Sequence, residues 1–538
     1  MLKKRNKTHQ KDIMKDNTVL WNVNLFETIR DSDTGSLLVE AMEFADRHPE
    51  ILAKIEADLD AHGLEKKEAR RRDREYARRV SEAVSGQGAL PLEGGSGGAA
   101  PDAVLGRGRP RMPARLVLAM LVLRGAWGSM TDRAACDRMA ESVSLHCLAS
   151  TLGCRLPRRS AICENLGAVS AATLERVMAL QLRDALGEGL DDFALAAVDS
   201  TAVAADMEFP TDTRLVAVSC ARLVAVLEKQ TGLRLGAFRA NAWQRRWLAD
   251  VGKAAARIAM SHADATGDKF RKSVRAMVAD ACKLVDSLEI PFEALEKAAA
   301  DVVRDGRGLP ERKALERLAE HARFARAACF HGVWQLSERV LKKRRLAADE
   351  KYLGPADADA RIVVKGQRNP VIGYHPQVVR SGNGFVTALL VGPEYVSDAA
   401  SFIPALEKSA EATGVVPASV TADDGYTSAA NRRAARKLGV GKVSFGGSKG
   451  RRLMRGEWNL PEFRLLRNLR SPVESLVYTL KWAHGLGRMR RTGLSDVRAE
   501  MLEKAVAYNF GRALLLRERE AKRREEEKRK ADGARKAS

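Results

Sequence analysis

Three carboxylates stand at positions where acidic side chains could carry metal-dependent chemistry. Asp199 interrupts the apolar run 193–205, Asp423 follows the strand pattern 418–422, and Glu474 lies near the start of a late helix pattern. A lone carboxylate inside an apolar strand is costly to bury, so it should be paired or bound to a cation. Carboxylates from two strands and one helix of a mixed sheet could hold two Mg²⁺ ions and stabilise an in-line phosphoryl displacement. Spacing alone does not establish that the three converge.

Each carboxylate also has a simpler structural interpretation. Asp199 alone could form a turn at a strand end, and Asp423 and Asp424 precede a glycine, as a tight strand-to-helix turn would select. The sequence SPVE is a capping box, in which Ser471 caps a helix and Glu474 binds a backbone N–H. The residues alone therefore leave the roles open, as well as the choice between Asp423 and Asp424 as second ligand.

The elements that must position these residues follow from periodicity. The run 193–205 predicts a buried strand, and the charged stretch at about 213–350 predicts helices. Short β-branched runs separated by Asn, Gly and Pro follow at 361–392, and further strands are predicted before Asp423 and near 440–447. Helices are predicted at Ser428–Leu438, at about 472–484 and at Ser495–Leu516. These elements predict an α/β fold with a mixed sheet.

The part of the chain before residue 190 predicts helices interrupted by one linker. Residues 18–83 have helical spacing, and residues 86–110 are rich in Gly and Pro. Further helices are predicted at helix–turn–helix scale, at Pro113–Trp127, Asp132–Ser142 and Ala172–Leu186. Within the linker, Arg107 and Arg109 of GRGRP could enter the minor groove as an AT-hook core does. The alternative is a linker end before a Pro-capped helix.

Composition favours a polyanionic partner but does not identify it. Lys and Arg total 91 against 69 Asp and Glu, a formal charge of +22, and neutralised phosphates release counterions. Charge does not separate DNA from RNA or from an anionic membrane. Aromatic residues make up 5% of the chain, so base stacking is not expected to dominate. The apolar runs are shorter than the roughly 20 residues of a membrane span. The sequence also shows no secretory signal pattern and no CxxC pair. Together these features predict a cytoplasmic protein with reduced thiols.

Three motifs occur in the order found in the DDE transposases of bacterial insertion sequences, and the chain resembles that family over roughly residues 190–515. They are DSTAVAADMEFPTDTRL (199–215), TADDGYTS (421–428) and RSPVESLVYTLKWAHGLGRMRRTGL (470–494). The third contains the R-x-x-x-E-x-x-x-x-x-x-K part of a Y-R-E-K-type signature. The resemblance implies an RNase H-like mixed sheet, a long helical insertion after the first strand, and all-α helical domains before it.

The resemblance also implies roles for individual residues. Asp199, Asp423 and Glu474 would be the catalytic metal ligands, for two Mg²⁺ ions with Mn²⁺ as a substitute. DNA phosphates would be contacted by Arg470, Lys481, Arg488, Arg490 and Arg491, the last three from the segment RMRR.

Two positions depart from the family pattern. Arg467 stands where the family often has Tyr, and His375 stands where relatives commonly carry Lys. The capping-box alternative would also place Arg470 outside the helix and away from the face of Glu474, whereas Lys481 would lie on that face.

The predicted organisation has five parts: an N-terminal helical region (1–85), a linker (86–110), a helical DNA-binding domain (111–187), a catalytic domain (190–515) and a basic tail (516–538). The resemblance implies a transposase that binds the terminal inverted repeats of its own element and cuts and joins double-stranded DNA. We expect a homodimer in a paired-end complex, associated with the nucleoid. The alternatives are an RNase H-like nuclease that never joins DNA and a catalytically inactive, transposase-derived DNA-binding protein.

Overall fold

The computed structural model describes most of the chain. The described residues are 33–85, 111–128, 130–207, 212–230, 238–260, 268–301, 309–346, 350–351, 357, 359–364, 370–392 and 396–537. The predicted linker 86–110, with Arg107 and Arg109, lies outside them.

Two sheets are formed by the described strands. The strands are β1 (Leu195–Ser200), β2 (Val203–Ala204), β3 (Arg361–Val363), β4 (Val371–Tyr374), β5 (Gln377–Ser381), β6 (Val386–Leu390), β7 (Ser419–Ala422) and β8 (Lys442–Phe445). The main sheet has the order β6-β5-β1-β7-β8, and the smaller one has the order β2-β4-β3. β1 runs antiparallel to β5 and parallel to β7, which is parallel to β8. This arrangement confirms the predicted RNase H-like mixed sheet.

Helices occupy most of the remaining described residues. They are α1 (Asp33–Arg47), α2 (Pro49–Ser85), α3 (Ala114–Ala126), α4 (Asp132–Glu141), α5 (Val143–Thr151), α6 (Arg159–Ala168), α7 (Ala171–Gly187), α8 (Asp212–Glu228), α9 (Ala242–Met260), α10 (Asp268–Ser287), α11 (Glu289–Ala300), α12 (Leu309–Leu336), α13 (Asp398–Thr413), α14 (Ala429–Lys437), α15 (Gly447–Leu453), α16 (Pro461–Asn468), α17 (Ser471–Trp482) and α18 (Leu494–Ala537). Helices α8–α12 lie between β2 and β3, where the helical insertion was predicted.

The main sheet is held by apolar side chains that its strands share with flanking helices. Val198, Val420 and Val443, from β1, β7 and β8, are fully buried in one cluster with Phe402 of α13. Helix α13 packs against β1, β5 and β6, while α16 packs against β7 and β8. Helix α17 contacts β1 and β5. The β-branched side chains that predicted the strands are therefore the ones that fix the sheet to its helices.

The chain divides into two compact units. One contains the described parts of Met1–His62, Pro110–Asp206 and Val363–Ser538, and the other contains those of Gly63–Arg109 and Met207–Ile362. The second unit is a helical body whose core includes Val216, Leu284 and Ala322. The helices of 111–187 belong to the same compact unit as the main sheet. The five-part organisation drawn from the sequence remains a prediction.

Helix α3 packs closely within the unit that contains the main sheet. A Cβ at Gly125 would lie 2.6 Å from the Glu503 carbonyl oxygen and 2.8 Å from the Ala507 Cβ. Only glycine permits this approach of α3 to α18. Among the described residues, no helix is both long and apolar enough to cross a membrane.

Candidate carboxylate site

Parallel pairing of β1 and β7 brings two of the predicted carboxylates to one edge of the main sheet. Val198 lies opposite Ala422 in the register. Asp199 is the next residue of β1, and Asp423 directly follows the end of β7. Ligand sites of open α/β sheets form at the carboxyl ends of parallel strands. Asp199 is only 7% exposed, so its carboxylate is buried beside this edge.

Backbone donors orient both carboxylates. Asp199 Oδ1 accepts a hydrogen bond from the Ser200 N–H at 2.7 Å. Asp423 caps a short 3₁₀ turn, Asp424–Tyr426, and its Oδ1 accepts from the Gly425 N–H at 2.9 Å. A short turn after the strand therefore fixes the direction of the Asp423 side chain, as the sequence pattern suggested.

The neighbouring Asp424 serves a different element. Its Oδ1 accepts from the backbone N–H groups of Lys449 at 2.8 Å and Gly450 at 3.1 Å, in the first turns of α15. These bonds satisfy donors that a helix start would otherwise leave unpaired. Because Asp424 is used in this way, the geometry favours Asp423 as the second ligand.

Glu474 lies in the first turn of α17, where its carboxylate pairs with an arginine. Its side chain is 55% exposed and forms an ion pair with Arg470 Nη1 at 2.9 Å. The capping-box interpretation is wrong. Arg470, with helical φ and ψ, precedes the helix, and no side chain caps it. The helix begins one residue too early for Ser471 to be the cap, so Arg470 and Glu474 lie one turn apart and pair.

The residues fit a divalent cation in part. Two carboxylates at one sheet edge are the hard oxygen ligands that Mg²⁺ prefers. However, no group of three or more His, Cys, Asp or Glu side chains in the described part of the chain is placed to hold a metal ion. The structure thus brings Asp199 and Asp423 together and leaves Glu474 outside, on a helix that packs against β1.

A fourth carboxylate, Asp398, belongs to the same edge, and sequence reasoning missed it. Tyr426 is fully buried. Its burial, followed by the negative charges of Asp398, Asp199 and Asp423, raises the pKa of its phenol well above the usual value. The three charges therefore act on one buried group. In the sequence, Asp398 after Ser397 signals only a helix start, which is an ordinary position for an acidic residue.

Two of the predicted DNA-contacting cations lie beside the segment that follows β1. Lys481 Nζ donates to the Ala202 carbonyl oxygen at 2.7 Å, and Arg488 Nη2 is 2.9 Å from Asp206 Oδ1. Arg488 is exposed. Both side chains therefore bind residues that follow Asp199 within a few positions of the chain.

Arg490 and Arg491 are held by a buried charge network. Their backbone N–H groups each donate to Glu500 Oε2 at 2.9 Å. The Arg491 guanidinium is mostly buried and lies 3.4 Å from Glu503. Glu503 also pairs with Arg124 of α3. This network makes Arg491 less available to a phosphate than the sequence suggested.

The two departures from the family pattern have internal partners. The Arg467 guanidinium stacks 3.8 Å from the centroid of the Trp458 ring, and Nη2 donates to the Trp458 carbonyl oxygen at 2.6 Å. His375 Nε2 lies 3.5 Å from Asp398 Oδ1. The Arg467 guanidinium is therefore occupied by contacts with Trp458, and His375 lies next to Asp398 at the carboxylate site.

Helix α17 also exposes two aromatic rings that sequence analysis did not single out. Tyr478 and Trp482 are 65% and 73% exposed, and their ring centroids are 6.1 Å apart. They follow Glu474 at intervals of four residues, so the three side chains lie along one face of the helix. The i, i+4, i+8 spacing was the signal that could have revealed this face.

Comparison with known proteins gives one similarity. Residues 363–510 match the family model described as the transposase DDE domain. The matched segment contains Asp423, Glu474 and Lys481, while Asp199 precedes it. The chain matches no curated protein and no solved structure.

Proposed function

We propose that this protein binds the terminal inverted repeats of its own element and catalyses Mg²⁺-dependent DNA cleavage and strand transfer, as the match of residues 363–510 to the transposase DDE domain supports. The observation that carries the proposal is the placement of Asp199 and Asp423 after paired residues of parallel β1 and β7. Two ordered motifs thereby supply carboxylates to the same sheet edge, inside an RNase H-like fold.

The carboxylates have separate tasks in this proposal. Asp199 and Asp423 would hold the cation, and their backbone donors keep the carboxylates oriented. Glu474 would be the third ligand if Arg470 paired with a DNA phosphate instead. Bound Mg²⁺, or Mn²⁺ in its place, would stabilise the charge that develops on the attacking and leaving oxygens. The same edge serves strand hydrolysis and the later attack of the freed 3′-OH on target DNA.

The cations would guide the DNA strand across this edge. Three cations could each bind a phosphate. They are Arg470 at the start of α17, Lys481 within it, and Arg488 in the segment after it. Arg490 and Arg491 have mainly the role of holding that segment in place. The helices before residue 190 would bind the inverted repeats, with Arg107 and Arg109 as minor-groove contacts. Joining two ends calls for a homodimer in a paired-end complex.

Cleavage of duplexes taken from both flanks of the gene tests this function. The wild type should cut at an element end with Mg²⁺, and Asp199→Ala, Asp423→Ala and Glu474→Ala should each abolish cutting while DNA binding persists. Asp424→Asn is the matched control, because its side chain still accepts the α15 N–H groups and it should keep activity.

Other results would identify the alternatives. Cleavage that survives Asp423→Ala but is lost in Asp424→Asn would move the second ligand by one residue. Cutting of element ends without joining them to a target plasmid would indicate a nuclease that does not transpose. Specific binding without cutting, in Mg²⁺ and in Mn²⁺, would indicate an inactive DNA-binding derivative.

A further inference from the structure

We propose that Asp398 is a positioning residue of the carboxylate site, which acts through Gln377, Tyr426 and Gly425 to hold Asp423 ready for a divalent cation. This inference rests on the proposed function, since it concerns the same site. It adds a carboxylate that none of the three sequence motifs contains.

The Asp398 carboxylate is held by donors from the strand beside β1. Its Oδ1 lies 3.4 Å from Gln377 Nε2 and 3.5 Å from His375 Nε2. Gln377 opens β5 and stands opposite Ser200, the residue that follows Asp199. Gln377 therefore contacts the start of α13 through its side chain and pairs with the end of β1 through its strand.

A second link runs from Gln377 to the turn that contains Asp423. The buried Tyr426 hydroxyl donates a hydrogen bond to Gln377 Oε1. Tyr426 ends the 3₁₀ turn that Asp423 caps. The amide of Gln377 thus donates to Asp398 at one end and accepts from Tyr426 at the other. A shift of Asp398 would be transmitted to the turn through these two bonds.

Direct packing gives a third link. A Cβ placed on Gly425 would lie 2.8 Å from Asp398 Oδ2 and 3.1 Å from Asp423 Oδ1. The two carboxylates therefore flank the same glycine, and a side chain there would have to displace the Asp398 carboxylate. Two like charges this close repel unless donors or a cation offset them. The donors on Asp398 fix one carboxylate so that the other can face the cation.

Helix capping does not account for Asp398. The hydroxyl of Ser397 already caps α13 by accepting from the Ala400 N–H at 3.3 Å. Asp132 has the same position after the cap of α4, where the Thr131 hydroxyl accepts from the Ala134 N–H. A purely structural role would therefore make the two aspartates equivalent, and Asp132 supplies the matched control.

Mn²⁺ binding to the full-length protein without DNA, followed by electron paramagnetic resonance, measures this role directly. Asp398→Asn keeps the shape and one acceptor oxygen, and Tyr426→Phe keeps the ring but removes the hydroxyl. Each should weaken Mn²⁺ binding by about 10-fold, the lower range for residues that orient metal ligands. Asp132→Asn should bind like the wild type, and the helical circular dichroism of Asp398→Asn should be unchanged.

The Mg²⁺ concentration for half-maximal cleavage should rise in parallel, while DNA affinity stays the same. Combining Asp398→Asn with Tyr426→Phe should weaken binding by less than the product of the single effects, because both act through Gln377. Wild-type-like Mn²⁺ binding by Asp398→Asn, together with weak binding by Asp423→Ala, would overturn this inference alone. Absence of Mn²⁺ binding in the wild type, or its persistence in Asp423→Ala, would instead contradict the carboxylate site itself.

Discussion

The Glu474 carboxylate has two competing partners. It forms an ion pair with Arg470, and the proposed function assigns it to a divalent cation. The pair is of the i,i+4 type, with the Arg470 side chain 30% and the Glu474 side chain 55% exposed. Pairs of this kind contribute only about 0.3–0.5 kcal/mol. A DNA phosphate or a divalent cation could therefore separate the two side chains at little cost, so the observed pairing is compatible with a later role for each.

Arg470→Ala should affect DNA binding far more than folding. We expect the free energy of unfolding to fall by less than about 1 kcal/mol. Binding of an element-end duplex should weaken by about 1.5–3 kcal/mol, the range for a hydrogen bond to a charged group. Urea unfolding and fluorescence anisotropy measure the two quantities.

Arg529→Ala is the control for Arg470→Ala, since it removes another exposed i,i+4 pair, with Glu525 on α18. Equal loss of DNA affinity in both variants would show that Arg470 contributes only to the overall charge. A large loss of stability in Arg470→Ala would show that the pair with Glu474 is structural.

At the scale of elements, α17 combines the proposed catalytic glutamate with an exposed aromatic pair. Tyr478→Ala and Trp482→Ala should each weaken binding of DNA with an unpaired end by about 1–3 kcal/mol, the range for stacking on a base. Fully paired internal duplex should be affected less. Trp334→Ala is the control, because Trp334 is 39% exposed on α12 in the helical insertion. Unchanged affinity in both α17 variants would argue against contact between this face and DNA.

The segment between α17 and α18 depends on one buried carboxylate. Glu500 pairs with Lys504 at 2.7 Å, and Lys504 also donates to the Gly485 carbonyl oxygen. Burial alone would raise the pKa of Glu500, but the Lys504 charge and the backbone donors of Arg490 and Arg491 hold it below its usual value. The carboxylate is therefore stabilising in its ionised form.

Glu500→Gln should remove a contribution that depends on pH. A lowered folded-state pKa stabilises the protein fully above the unfolded value of about 4.3, and this contribution is lost as the pH falls through the folded value. We expect the variant to be about 3 kcal/mol less stable at pH 7, as when a buried pair is broken, with the difference shrinking below about pH 4. Urea unfolding and hydrogen exchange of residues 485–491 at both pH values measure this.

Exposed Glu526→Gln on α18 is the control for Glu500→Gln and should show no such pH-dependent difference. A stability difference between Glu500→Gln and the wild type that stays constant from pH 7 to well below about pH 4 would mean that the ionised form of Glu500 is not the stabilising one.

For the whole molecule, the formal charge of +22 predicts DNA binding that weakens steeply with salt. The logarithm of the binding constant falls with the logarithm of salt concentration by about 0.9 per neutralised phosphate. Arg488→Ala should reduce this slope by about 1 if Arg488 binds a phosphate. Arg323→Ala removes an exposed arginine paired with Glu296 in the helical insertion, and its slope should remain that of the wild type. Equal slopes in all three proteins would show that Arg488 makes no phosphate contact.

Local patterns determined most of the elements. The apolar run 193–205 contains β1, the β-branched runs at 361–392 became β3–β6, and the later strand patterns became β7 and β8. The Ser428 hydroxyl caps α14 by accepting from the Asn431 N–H. These features depend on residues within a few positions of one another, where periodicity and capping leave a direct signature. The second and third motifs lie within the segment that matches the transposase DDE domain, and such motifs can be read from the sequence directly.

Only the tertiary structure decided which side chains meet. It bonded Asp424 to the start of α15, placed Asp398 beside Gln377 and Gly425, and paired Glu474 with Arg470. It buried Arg491 against Glu503 and packed the helices of 111–187 in the unit of the main sheet. These outcomes depend on strand register, on the residue at which a helix begins, and on close approaches such as that at Gly425. Strand register and close approaches arise from contacts between segments far apart in the chain, which local patterns do not encode. The Arg470–Glu474 pair is local, but it depends on the residue at which the helix begins.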